Sequence, residues 1–448
     1  MIINNIRIQN FRGFQDKYFD FDPHVNVVLG DNTTGKTTLL HAVQIALGAF
    51  FKALKIVPRL SAFSRNFKKT DVPMFMNDAS KSFLQYDSKP SIITNADFYF
   101  LSYNINEKKI IDGGHYNVDW WRNYNSNSKK DTELLNDVVA SKIEDLRIEA
   151  DKSGENSIFP LFLAFGNNRL ERKNYLAPQK SKPFYLKMEN AYKNALDDRT
   201  IDFVSVSNWI YNFDFSMKKG MEFEGTDIAF FNAIKDAIPA IKDIHVDNKN
   251  GEFSAQIQMS KDPEPHWLTY DIMSDGFKSM INIVSDIAYR CIMLNGFLGK
   301  DAVKETPGVV MIDEVDLFLH PHWQQHVLAD LQIAFPKIQF MVTTHSPFIV
   351  QSVESKNVIT LDGEKGDSDP NMRSIEDIAV TEMNMDSARF PKYNLMLEKA
   401  ERYFELVKSG KENTNEAANV KKELDEIEEQ FSSDPAYVAL LRAERRSK

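Results

Sequence analysis

The chain has 448 residues, 43% hydrophobic and 26% charged, enough to bury one large core with smaller appendages, as in a soluble globular protein. A formal net charge of −10 excludes a molecule that coats nucleic acid over its whole surface and leaves only a local basic patch for that role. The single cysteine, Cys291, excludes an internal disulfide, suits the reducing cytosol, and sits in a helical pattern where a buried inert thiol is expected.

In chain order, residues 2–9 (IINNIRIQ) and 17–21 read as strands around the turn NFRGF, with no signal-peptide pattern. VNVVLG (25–30) is a short apolar strand ending in glycine, and LLHAVQIALGAF (39–50) has helical spacing. The apolar stretch 42–56 is interrupted by Lys52 and Lys55, and reads as too short and too charged to span a bilayer. ADFYFLSYNINEKKIID (96–112) predicts a hairpin, WWRNYNSNSKKD (120–131) an Asn/Ser-rich loop, and SIFPLFLAFG (157–166) one apolar strand. Helical signals recur in 207–215 and 229–241, and alternation predicts a hairpin over 241–259. A long helix is expected from MSDGFKS (273–279) to about 295. Strand GVVMIDE (308–314), helix 322–335, strand IQFMVTTHS (338–346) and strand NVITLDG (357–363) follow. In the tail, Met396, Ala400, Tyr403 and Val407, then Val420, Leu424, Ile427 and Phe431, recur at helical spacing and predict a helical hairpin.

GDNTTGKT (30–37) completes G-x-x-x-x-G-K-[ST] between an apolar strand and a helix, the context that a phosphate loop requires. The site comprises Gly30, Asp31, Asn32, Thr33, Thr34, Gly35, Lys36, Thr37 and Thr38. The backbone N–H groups wrap phosphates, Lys36 reaches the β/γ-phosphates and Thr37 ligates magnesium. VVMIDE (309–314) ends a buried strand with two carboxylates, which is costly unless a cation or partner satisfies them. Asp313 is placed to hold magnesium and Glu314 to polarise an attacking water. His345 ends the next strand, where it is structural or donates a hydrogen bond near the γ-phosphate. Ser274, Asp275 and Gly276 open a helix whose N-terminus attracts an anion.

The order GDNTTGKT, MSDGFKS, VVMIDEVD, TTHS resembles the ATPase heads of the ABC superfamily, in their SMC/RecF/OLD-like branch, and NFRGF resembles that branch's N-terminal strand and arginine turn. The stretch from MSDGFKS to PFIVQS is most similar to stand-alone ATPases of bacterial anti-phage systems, the Septu ATPase and its retron-associated relatives. AFGNNRL (164–170) and the ending SSDPAYVALLRAE fit that group. The resemblance is strong over 1–48 and 268–353 and loose between. It implies ATP and magnesium as cofactors, with Arg12 at the nucleotide. It also implies that Ser274 and Gly276 of one chain cover the γ-phosphate held by a second chain. The chain departs from the family at Asp275 and Phe277, lacks a long coiled coil, and offers only Asn167 or Asn168, with Arg169, for the family's glutamine loop.

His320, His322 and His326 follow the acids and read as structural rather than as a zinc site. Asp367 and Asp369 lack the accompanying glutamate-bearing strand of a nuclease, so none is expected within the chain. From Asn32 to Thr70 there is no acid, while Lys52, Lys55, Arg59, Arg65, Lys68 and Lys69 accumulate. A solvated face and a surface for DNA, RNA or an acidic partner are both open.

The expected fold is α/β: an ABC-type head with an N-terminal antiparallel β-lobe, a mixed or parallel nucleotide-binding sheet, a helical insertion and a C-terminal helical hairpin. The expected bounds are 1–50 and 241–365 for the head, 51–240 for the insertion and 366–448 for the helical region. The expected function is a cytoplasmic ATPase that dimerises through ATP and controls a separate nuclease effector in phage defence, with no membrane partner. A RecF-type DNA clamp and a nucleotide sensor with vestigial hydrolysis are the alternatives.

Overall fold

The computed structural model describes residues 1–54, 65–77, 82–85, 89–124, 132–134, 137–150, 155–167, 191–198, 206, 209–211, 213, 223–247, 252–259, 264–362, 366, 368–385 and 391–428. The chain divides into two units, Met1–Asn384 and Met385–Lys448.

Two sheets organise the first unit. The outer one starts with β1 (Ile2–Phe11) and β2 (Phe14–Asp20), antiparallel around a tight turn where Arg12 has a φ of 52°. A bulge between Ile3 and Asn5 shifts the pleat so that Ile3, Ile6 and Ile8 all face the core. The long hairpin β6 (Ser91–Asn104) and β7 (Lys109–Asn123) lies beside β1. β8 (Thr132–Leu134) pairs with β7, and β9 (Glu155–Ile158) with the far end of β6. A separate hairpin joins β4 (Met74–Asn77) to β5 (Ser82–Gln85).

The inner sheet is wholly parallel and runs β10-β14-β15-β3-β16. Its strands are β3 (Val25–Leu29), β10 (Leu161–Phe165), β14 (Gly308–Ile312), β15 (Ile338–Thr343) and β16 (Val358–Thr360). The first four are buried at every position, which explains their continuous apolar runs. Helices α1 (Lys36–Leu54), α2 (Asp137–Ala150), α3 (Thr226–Ala237), α4 (Asp275–Asn295) and α5 (Val327–Ala334) accompany the sheets. A three-stranded antiparallel sheet of β11 (Ile241–Val246), β12 (Phe253–Ile257) and β13 (His266–Thr269) precedes α4.

Several expectations need correction. SIFPLFLAFG is two strands: Pro160 has no N–H to give to a ladder, and there the chain leaves β9 in the outer sheet for β10 in the inner one. The WWRN segment belongs to β7, not to a loop. Trp120 Nε1 donates to the Ala46 carbonyl at 3.0 Å and Arg122 Nη1 to that of Ile45 at 2.5 Å, clamping α1 to the outer sheet. β6 and β10 lie inside 51–240, so that segment builds both sheets of the head instead of standing apart as an insertion. The unit boundary falls after Asn384, not at 366. Finally, α1 starts at Lys36 and is long and apolar enough to cross a membrane by length and composition, but 78% of that stretch is buried in the fold.

In the second unit, α6 (Pro391–Lys408) and α7 (Asn415–Glu428) form the expected hairpin around Met396, Ala400 and Leu424. Leu406 is buried there and Val407 only partly, a one-residue shift of the predicted face. The Ile427 side chain and Phe431 lie outside the described residues.

Candidate nucleotide site

A parallel sheet points all its strand ends one way, and the loops beyond those ends are where α/β sheets bind ligands. Here β3 ends in the Gly30–Lys36 loop, β14 in Asp313 and Glu314, β15 in His345, β16 in Asp362 and β10 in Asn167. Asn168, Arg169 and Asp367 lie outside the described residues.

The loop has the shape of a phosphate cradle. Gly35 has a φ of 112°, and a Cβ there would lie 2.6 Å from the Phe14 ring, so β2 reserves this position for glycine. Thr33 also takes a positive φ, 79°. Asp31, Asn32 and Thr33 are exposed, and Thr34, Gly35 and Thr38 partly buried. The Lys36 ammonium is folded back on its own loop, donating to the Gly30 carbonyl at 2.5 Å and that of Asp31 at 2.9 Å. Burial lowers its pKa, against the attraction of Asp362, Asp313, Asp31 and Glu314.

The acids stand across from the loop. Thr37 Oγ1 donates to Asp313 Oδ2 at 2.9 Å, which joins the loop to the end of β14 although β15 runs between β3 and β14. Thr343 Oγ1 donates to Asp313 Oδ1 at 2.6 Å. Glu314 has a φ of 51°, so the chain turns sharply out of the strand at that residue. His345 is exposed, between Thr344 and Ser346, both of which are buried. Thr344 Oγ1 donates to Asp316 Oδ1 at 2.6 Å and accepts Ser346 N–H at 2.9 Å, fixing the backbone on either side of the imidazole.

This donor set fits a magnesium nucleotide. A folded-back ammonium beside a glycine-shaped loop suits a polyphosphate, and a hydroxyl against a carboxylate is a hard oxygen pair suited to magnesium.

Other expected residues are placed differently. Arg12 is engaged within the chain: its Nε donates to Asp71 at 2.8 Å and its Nη1 contacts His41 Nδ1 at 2.8 Å. Asp71 is fully buried and needs a cation, which accounts for this capture; Arg65 approaches it too, at 3.5 Å. His41 Nε2 in turn meets Asp198 at 2.7 Å, and burial lowers the imidazole pKa. Arg65 is thereby withdrawn from the proposed basic face, on which Lys52, Lys68 and Lys69 remain exposed. Lys55 and Arg59 lie outside the described residues.

Ser274 is the N-cap of α4, but its hydroxyl makes no capping bond to the helix. Ser274 and Asp275 are exposed. Gly276 is buried because the Phe318 carbonyl packs on it; a Cβ would sit 2.7 Å from that oxygen. The helix start is thus seated on the loop that follows Glu314. A recess of about 930 Å³ opens beside Ser274 and Gly276, floored by Phe277, Met280 and Trp323. His320, His322 and His326 line its rim, and no group of three or more metal-ligating side chains occurs among the described residues. Asp369 accepts the Ser355 N–H at 2.9 Å, a structural role.

Sequence reasoning missed Asp362 and Thr343. Asp362 Oδ2 accepts the Asp31 N–H at 2.9 Å, holding the first peptide of the phosphate loop from the side opposite Lys36. Its only signal was its position just past an apolar strand.

Comparison with known proteins agrees with this geometry. An AAA-domain family model matches residues 5–208. The chain is 24% identical to the Retron Ec83 probable ATPase of Escherichia coli, over 93% of this chain and 82% of that one. It is 24% identical to the Septu protein PtuA of Bacillus thuringiensis, over 88% of this chain and 87% of that one. A shorter match, 44% identical over 90 residues, covers 19% of this chain and only 16% of the Retron Vc95 probable ATPase of Vibrio cholerae. Among solved structures, the SMC head domain from Thermotoga maritima covers 79% of this chain and 92% of its own, at 13% identity and a TM-score of 0.40. The chain is thus similar, over most of its length, to a retron probable ATPase and to a Septu protein, and carries an AAA-domain match over 5–208.

Proposed function

We propose that this relative of the retron and Septu ATPases binds and hydrolyses ATP at the loop 30–38, pairs with a second copy through composite ATP sites, and controls a separate nuclease effector in phage defence. The observation that carries the reading is the Thr37–Asp313 contact, which brings a phosphate loop and a strand-end carboxylate together at the 2.9 Å that a shared cation requires them to approach.

When bound, magnesium supplies charge neutralisation at the phosphates. The chain's part is to hold it with Thr37 and Asp313, to grip phosphate with Lys36 and the loop N–H groups, and to orient a water with Glu314. Lys36 must leave the carbonyls of Gly30 and Asp31 to do so, and Asp362 keeps that peptide in place. His345, exposed at the end of β15, donates toward the γ-phosphate side of the site. Two observations support the pairing: Ser274, whose hydroxyl makes no capping bond to its own helix, and the recess beside it. Residues from about 392 to 448 contribute to the effector assembly, and the isolated chain cuts neither DNA nor RNA.

A mixing experiment tests the pairing. Ser274→Arg spoils the covering face and spares the loop; Lys36→Ala does the reverse. Neither variant alone forms an intact composite site, but a heterodimer of the two contains one. Partial recovery of ATPase activity on mixing is expected. No recovery, with heterodimers demonstrated by mass, would mean that each head works alone.

A further inference from the structure

Glu314, two residues past the end of β14, has a left-handed backbone, and its part-buried N–H is donated to a side-chain oxygen. A backbone N–H withdrawn from solvent needs an acceptor. The structure supplies one from a single residue, Thr343, the last of β15 and fully buried.

Three successive residues after β14 are tied to it. Thr343 Oγ1 donates its proton to Asp313 Oδ1 at 2.6 Å and accepts the Glu314 N–H at 2.7 Å, and the Thr343 carbonyl accepts the Val315 N–H at 2.9 Å. Only a hydroxyl both donates and accepts from one atom at this reach. Asp313 is therefore oriented from two sides, by Thr37 at Oδ2 and by Thr343 at Oδ1. The Thr37 hydroxyl is the one assigned above to the cation. The Thr343 bond does not depend on the phosphate loop at all.

We propose that Thr343 is the positioning residue of the catalytic centre. It fixes the Asp313 carboxylate for the cation and the Glu314 backbone for the water through one hydroxyl. The inference rests on the ATPase reading and adds to it a residue that touches neither nucleotide nor metal.

The test uses the full-length chain with Thr343→Val, Thr343→Ala and Thr343→Ser. Valine keeps the shape and loses the hydroxyl, alanine loses both, and serine keeps the hydroxyl. ATP affinity measured calorimetrically without divalent cation should stay within about twofold of wild type in all three, because the phosphate loop is untouched. The gain in affinity on adding magnesium should fall by about fivefold or more in the valine and alanine variants. Their kcat should fall by about tenfold or more with little change in KM, the range for a misplaced catalytic group. Hydrogen–deuterium exchange over 311–317 should rise in both. Serine should restore all of these readouts to within about twofold.

A folded valine variant with wild-type magnesium response and kcat would overturn the inference. So would a serine variant as impaired as valine, since packing of the methyl group would then be what matters. If valine does not fold, alanine against serine decides by the same readouts; if neither valine nor alanine folds, exchange over 311–317 in the serine variant decides, wild-type protection supporting the hydroxyl's role and lost protection refuting it. Wild-type chain that binds no ATP would bring down the ATPase reading and this inference together. Wild-type binding with indifferent variants would bring down this inference alone.

Discussion

Replacing Glu314 separates chemistry from architecture, because its backbone is held independently of its side chain. The N–H is bound by Thr343 at 2.7 Å whatever the side chain is. Glu314→Gln therefore leaves the turn intact, and its melting should shift by no more than about 0.5 kcal/mol, the scale of a partly exposed polar substitution. Turnover should fall at least about 10²-fold, or about 2.7 kcal/mol of barrier, the lower range for a positioned base. Glu314→Gly provides a second check. A left-handed non-glycine residue costs about 1–2 kcal/mol, and glycine costs roughly 0.5–1 kcal/mol of extra chain entropy, so this variant should melt no lower than wild type while being equally slow. Phosphate release under saturating ATP, ATP titration calorimetry and thermal melting measure the three quantities. If Glu314→Gln hydrolyses at a rate near wild type, or loses ATP affinity while folded, the assignment of Glu314 to the water is wrong.

Asp362→Ala should weaken ATP binding by about threefold to tenfold by freeing the Asp31 peptide, whereas Asp362→Asn, which still accepts the N–H, should bind at least as tightly as wild type; calorimetry distinguishes them. Burial pushes the Cys291 thiol up to about 12, so at pH 8 it should resist alkylation by at least about 10³-fold relative to a free thiol and react only after denaturation. Burial lowers the His41 pKa below its ordinary 6.5, so the unfolded chain takes up a proton that the folded chain refuses; melting temperature should drop as pH falls below 6.5, and less steeply in His41→Gln.

Much of the site was legible because its chemistry is local. The loop 30–37 needs only its own glycines, lysine and threonine, and the acids at 313–314 stand out against four buried apolar neighbours. What the sequence hid is relational. Nothing near Arg12 shows that a buried aspartate 59 positions away captures its guanidinium, and nothing near Asp31 points to Asp362, 331 positions away. Thr343 looked like one strand residue among others, since its value lies in the register that sets it against Asp313. The outer sheet was half legible. The hairpin 96–112 alternates clearly, but Trp120–Asn123 resembled a loop because they run into an Asn/Ser-rich stretch, and the α1 carbonyls that hold Trp120 and Arg122 are distant in sequence. Pro160 marks a break between strands, because it removes a ladder donor in the middle of an apolar run.

The central claim is that ATP is held by the loop that Lys36 now closes on itself. Titration calorimetry of ATP into wild-type and Lys36→Ala chains tests it directly. The account predicts saturable binding to wild type and a loss of at least about tenfold in affinity, or about 1.4 kcal/mol, in a Lys36→Ala chain that melts as a folded protein. Equal affinity in the two folded chains would contradict it.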